Sequence, residues 1–402
     1  MAGNRNAIVA EVRTERPGCS WCRCRIPERV FRTFEQPDAI LPHVNVSEPS
    51  VRLFRLWDTP AFSVGDEEYA WIDVALWAMA SGAWATFERQ LAAGLACVAR
   101  ANAEHSGPSD QELDEAATAF RYDRDLLAAA EVNDWLQGCD LSVEDWTAYL
   151  RRCLLRERWR ETLDETLHRH PPSPAQLVAA AYAEGVCSGA FETFANSGAA
   201  RVALAAASGS PAVRLDESGE ADTLRLANAH AGWLSLRPVA DTRLRLQRVV
   251  TLEAQFKAAI EDLLARAPLH EIVEQHQLQW QQIELDTLNF ATEHAAREAV
   301  LCVTVDQLSL HDVAVLSRRA AARRLFFADE LDSDHRDNLL GVEPGSVLGP
   351  WPVNGHFEVS AVVRRTLPAL SDPRVADRAR RRVIDTALQR ATRDHVTRHS
   401  RV

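Results

Sequence analysis

The chain has 402 residues, and 57 acidic against 45 basic side chains give it a formal charge of −12; 47% of its residues are hydrophobic. That length allows about two to three domains with sizeable cores. No apolar run approaches the roughly 18 residues a membrane span needs, and net acidity disfavours sequence-independent nucleic-acid binding.

Residues 1–47 are irregular and proline-punctuated, an extension that packs across a surface or stays loose. They hold no apolar core before a small-residue cleavage site, so a cytoplasmic setting and reduced cysteines are expected. "VRLFRLW" (51–57) alternates and predicts a strand. With the Gly65-Asp66 turn signal it predicts a hairpin over 51–71, whose acidic tip (Asp66, Glu67, Glu68) reads as a solvated turn. A helix is predicted over 71–101, interrupted at Gly82. Asp110 and Glu112 mark a second helical start, and Gly138 ends a later helix before Ser142 caps the next with Asp145. Helices continue to about 208, a loop occupies 209–222, and a long helix covers about 242–267. Leu244, Val249, Leu252, Phe256, Ile260 and Leu263 lie near one face of it.

The texture changes near Trp280. "IELDTLNF" (283–290) predicts a strand, 291–303 a helix, and 309–317 a short helix capped by Ser309. "RRLFFADEL" (323–331) predicts a strand or short helix. "VLGPWPVNGHFEVSAVVRR" predicts two strands joined at Asn354-Gly355, a strong hairpin signal. Residues 371–399 predict a terminal amphipathic helix with Val375, Ala379, Val383, Ala387 and Ala391 on one stripe. There is no internal repeat.

Chemical motifs are sparse. Cys19, Cys22 and Cys24 have partial metal spacing, with His43 the nearest further ligand, but no second pair completes a four-ligand site. Cys97, Cys139, Cys153, Cys187 and Cys302 lie in helical stretches and read as buried small hydrophobes. His270 and His276 are six apart, which does not share a helical face. Phosphate-binding loops, nucleophile elbows and HExxH are absent. Trp57, Trp71, Trp77 and Trp84 read as core, with room for one or two to line a groove. No cofactor is expected.

Two segments resemble a known family. "FRYDRDLLAAAEVNDWLQGCDLSVEDWTAYLRRCLLRERW" (120–159) looks like a helical peptide-binding part. "LDTLNFATEHAAREAV", then "PGSVLGPWPVNGHFEVSAVVRRTLPALSDPRV", within 285–375, looks like a parvulin part. The order resembles parvulin-type prolyl isomerases with a chaperone-like helical lobe, as in the SurA and PrsA groups. It is most similar to the parvulin-related peptide-maturation proteins of bacterial ribosomal-peptide clusters, with crocagin-type pathways as one setting. The resemblance implies an α+β chain: a helical lobe built from N- and C-terminal helices, plus a small antiparallel sheet flanked by helices. The implied division is 1–47 extension, 48–104 hairpin plus helices, 105–279 helical lobe, 280–370 parvulin-like domain, and 371–402 a helix returning to the lobe.

The family's site has one histidine in its first strand and one in its last, and stabilises a twisted X-Pro amide against a barrier of about 18–20 kcal/mol. Laid on the resemblance, those positions fall on Thr287 and Phe357, which are expected to face each other. His356 is one residue off, on the opposite face unless a bulge intervenes. A degenerate, non-catalytic site is therefore expected. The expected function is recognition of the precursor (leader) peptide of a ribosomally made, modified peptide, with the pathway's modifying enzymes as further partners. Neither nucleic acid nor membrane is an expected partner, and oligomerisation is left open. The alternatives are an active isomerase and a structural subunit of a modifying complex. Binding is expected by strand addition, either on the parvulin-like sheet or, preferentially, on the 51–57 strand. Leu53, Arg55, Trp57, Phe62, Tyr69 and Trp71 are the expected contacts.

Overall fold

The computed structural model describes residues 48–209, 217–234, 239–331, 333–353 and 355–399. The Cys19/Cys22/Cys24 motif, His43 and Asn354 of the predicted turn lie outside them. The fold mixes helix with two small antiparallel sheets. It divides into two units: one runs to Asp262 and resumes at Asp385, and the other is Leu263–Ile384. No described helix is long and apolar enough to cross a membrane.

The first unit opens on α1 (Glu48–Asp58), where alternation predicts a strand. The spacing Leu53, Leu56, Trp57 is also i, i+3, i+4, and that period prevails because it buries all three side chains on one helix face. The hairpin is correspondingly shorter than predicted: β1 (Pro60–Val64) and β2 (Glu67–Ala70), turning at Gly65 with φ +59°. The predicted break at Gly82 separates α2 (Trp71–Ala80) from α3 (Ala83–Glu104), and Gly82 takes φ +78°, a region open to glycine at little cost.

Serine caps punctuate the next helices. Ser109, one residue before the predicted signal, caps α4 (Asp110–Asp123) in a box with Glu112. After α5 (Ala129–Gly138), Ser142 and Asp145 form the predicted box at α6 (Val143–Arg158). The chain continues through α7 (Leu163–Arg169), α8 (Pro174–Cys187) and α9 (Ala190–Ala207). Next come α10 (Glu217–Ala229), which replaces the end of the predicted loop, α11 (Ala231–Leu234) and α12 (Val239–Arg266). On α12, Leu246, Val249, Phe256 and Ala259 are buried, whereas Leu244 of the predicted stripe is 67% exposed.

Aromatic packing defines this unit's core. The Trp84 ring lies 5.3 Å from Phe87 and 5.2 Å from Trp233, with Phe191 and Phe194 in the same cluster. Each such side chain, fully buried, contributes on the order of 2–3 kcal/mol. Gly185 lets Phe191 approach its backbone: a Cβ there would sit 2.3 Å from the ring.

The second unit starts with α13 (Leu269–Gln275), β3 (Gln282–Phe290), α14 (Glu293–Thr304) and α15 (Leu310–Leu316). Then come β4 (Ala322–Phe327), α16 (Ser333–Gly341), β5 (Val347–Val353), β6 (His356–Thr366) and α17 (Pro373–His395), whose residues from Asp385 on belong to the first unit. The strands form one antiparallel sheet in the order β4-β3-β6-β5. One face of the sheet presents Leu288, Phe290 and Val359 to Ala296 and Ala299 of α14 and to Leu310, Val313 and Ala314 of α15. The other presents Ile283, Leu285 and Val362 to Leu339 of α16. Val273 and Trp280 pack with Phe327, Val375 and Ala379, so this unit begins before residue 280.

The terminal helix is predicted through residue 399 but stops at His395. Val396–Arg398 form β7, which pairs antiparallel with β1 and gives the first unit a sheet in the order β2-β1-β7. Val396 and Thr397 are β-branched and favour the extended form. His399 donates its backbone N–H to the Ala61 carbonyl at 3.1 Å.

Candidate functional site

The structure removes the preferred peptide edge at 51–57, which is helix. Of the six expected contacts, Leu53, Trp57, Phe62, Tyr69 and Trp71 are each at most 4% exposed and belong to the core. Only Arg55 faces solvent. Large aromatic side chains close to a hairpin suggest a groove, but here they hold α1 and the hairpin down.

Thr287 and Phe357 do not face each other either. Register along β3 and β6 is continuous from Thr287↔Ser360 to Phe290↔Phe357, so the residue beside Thr287 is Ser360. Phe357 packs at the edge of the Leu288–Phe290 core, on the opposite face of the sheet. The β3–β6 irregularity sits between Glu284 and Leu285, so it does not shift His356, which pairs with Val353 at the hairpin. Thr287 and Ser360 are buried and locally bonded: Thr287 Oγ1 donates to the Ala322 carbonyl at 3.1 Å, and Ser360 Oγ to Glu358 Oε1 at 3.1 Å. Neither can act as an imidazole. Among the described residues, no group of three or more His, Cys, Asp and Glu side chains is placed to hold a metal.

In the four-stranded sheet, the edge that remains open among the described residues is β4. Ala328 donates its N–H to the Gln281 carbonyl at 2.9 Å. Antiparallel alternation then points the main-chain groups of Phe326, Arg324 and Ala322 at β3, and those of Phe327, Leu325 and Arg323 outward. The Phe327 N–H is taken by the Glu330 carboxylate at 2.9 Å. Arg323 and Leu325 are left with an outward N–H and C=O and exposed side chains. The opposite edge, β5, contains Pro350 and Pro352, which have no N–H to offer an added strand. The sequence marks 323–331 as strand or helix but cannot say which strand is terminal; strand order depends on long-range pairing and has no local signal.

Side chains bracket this edge with charge. Arg323 grips Asp286 across the strands with two 2.8 Å hydrogen bonds, and Arg324 lies 3.6 Å from Glu358 on the other face. The Arg323 hydrogen bonds hold the Asp286 carboxyl below its ordinary value, against a smaller upward push from burial. A lowered carboxyl contributes stability that is complete above the unfolded value of about 4 and is lost as pH falls through the folded value. Carboxyl NMR titration is therefore expected to give Asp286 a midpoint below about 4, and Arg323→Gln should raise it. An unchanged midpoint in that variant would contradict the assignment.

In the first unit, Glu184 is 2% exposed and accepts from Arg152 Nε at 2.8 Å and Arg156 Nη1 at 2.9 Å. Burial pushes the neighbouring Cys153 and Cys187 thiols up, which suppresses the thiolate form a nucleophile needs. The ion pairs tie α6 to α8. Comparison of the chain with protein-family models, with curated proteins and with solved structures returned no match.

Proposed function

We propose that this protein is a non-catalytic peptide-binding protein that takes an extended peptide as a fifth strand on β4. In the reading that the parvulin-like resemblance supports, the peptide is the precursor (leader) of a ribosomally made, modified peptide, held in the cytoplasm for the enzymes of its pathway. The observation that carries the reading is the pair of outward main-chain groups at Arg323 and Leu325, on a sheet whose other edge contains two prolines. Main-chain pairing supplies affinity independent of sequence, and flanking side chains supply selectivity. Thr287 and Ser360 at neighbouring central positions support the non-catalytic part, since neither can play the part of the family's histidines.

Calorimetric titration of the full chain with the precursor peptide encoded beside its gene is expected to saturate at a Kd of about 1 μM or below, roughly −8 kcal/mol. The same protein is expected to leave cis–trans exchange of a proline test peptide unaccelerated. Absence of saturable binding removes the peptide-binding reading and favours a purely structural subunit. Acceleration of exchange overturns the non-catalytic part.

A further inference from the structure

The approach to β4 is basic in a chain that is acidic as a whole. Between Ser317 and Leu325 stand Arg318, Arg319, Arg323 and Arg324, with no carboxylate among them, against a total charge of −12. Two of the four are neutralised on the sheet, Arg323 by Asp286 and Arg324 by Glu358. The other two are not. Arg319 donates from Nη1 to the Asn289 carbonyl at 2.6 Å and lies over the Phe290 ring at 5.0 Å. Both partners are uncharged. They hold the guanidinium in place while leaving its charge and most of its donors available. Arg318 is exposed, and its guanidinium has no partner among the described residues.

Position gives this charge a direction. Arg318 and Arg319 precede the N-terminal end of β4. A strand added antiparallel to β4 brings its C-terminal residues to that end. The sheet is antiparallel throughout, and antiparallel pairing is the more stable arrangement per residue. A carboxylate meeting a guanidinium can bond to it through both oxygens, a geometry lysine does not offer.

We propose that the β4 edge selects an acidic extended segment, bound antiparallel to β4, with its carboxylate side chains at the C-terminal end against Arg318 and Arg319. The proposal rests on the strand-addition reading above and adds the ligand's charge and direction.

Three fluorescein-labelled peptides with one shared Thr-Val repeat core and blocked ends test it by anisotropy against the full-length protein. One carries Asp-Glu after the core, one Asp-Glu before it, and one Asn-Gln after it. The first is expected to bind about tenfold more tightly than the third, and to lose that advantage at about 1 M salt, where screening acts within about 3 Å. The Arg318→Gln/Arg319→Gln variant should lose it as well. Arg318→Gln alone, which removes no contact within the described residues, should lose part of it. Equal binding of all three peptides, abolished by Leu325→Pro, overturns the acidic preference and leaves strand addition standing. Tighter binding of the second peptide overturns the antiparallel direction. No binding of any peptide overturns both.

Discussion

Leu325→Pro is expected to weaken peptide binding by about tenfold or more while leaving the fold intact. The Leu325 N–H points away from β3, so proline there breaks no ladder bond. Edge strands accept proline on that side, and the preceding Arg324 is already extended, as a residue before proline prefers. An added strand, however, loses its donor and meets the pyrrolidine ring. An unmet carbonyl in a newly buried ladder costs about 1–3 kcal/mol. The neighbouring substitution supplies the contrast. Arg324→Pro removes an inward N–H, so it is expected to destabilise the second unit by about 3 kcal/mol even without peptide. Binding by calorimetry and melting by circular dichroism, measured on both variants, should therefore separate in opposite directions. If Leu325→Pro binds like the parent chain, the peptide does not lie on β4.

Glu184→Gln is expected to destabilise the first unit by about 3–5 kcal/mol. The carboxylate is enclosed between Arg152, which donates through Nε, and Arg156, and Arg152 Nη2 is buried without a hydrogen-bond partner. Glutamine keeps the shape but removes the charge, leaving the buried Arg152 and the part-buried Arg156 without their counter-charge. Gly94 adds to the constraint: a Cβ at that position would lie 3.0 Å from the Arg152 side chain, so the arginine is packed in place. The surface pair Arg100–Glu104, spaced i, i+4, provides the control. Glu104→Gln should cost about 0.5 kcal/mol or less. Urea unfolding followed by tryptophan fluorescence measures both, since the Trp84 cluster reports on this unit. A loss below about 1 kcal/mol for Glu184→Gln would mean that the two arginines find water or another partner.

What could be read from the chain tracks how local the signal is. Gly82, Ser142 with Asp145, and Ser309 each act through neighbours within a few residues, and the helices begin or end where they say. The segment 51–57 misleads because seven residues satisfy period 2 and period 3.6 at once, and burial of Leu53, Leu56 and Trp57 decides between them. That one inversion turns the expected peptide edge into a helix whose Leu53 and Trp57 are core residues. The Thr287–Ser360 pairing is out of reach for a different reason. Register between β3 and β6 depends on where the ladder starts and on the irregularity beside Glu284, and neither leaves a trace in composition. β7 escapes detection because three extended residues after a long helix look like its frayed end.

The placement of β7 also bears on how the chain is made. Its partner strand β1 is synthesised first, and His399 meets Ser63 at a sequence separation of 336, with the entire second unit emerging between them. Domains generally fold as units while the ribosome works from the N-terminus. Here the sheet of the earlier unit stays one strand short until the later unit is finished, so β1 emerges with an unpaired side and keeps it until β7 follows. Closing a loop of that length costs only slowly growing entropy. The exposed β1 side is thus a vulnerability of the growing chain, and it ends once Val396–Arg398 have emerged and paired with it.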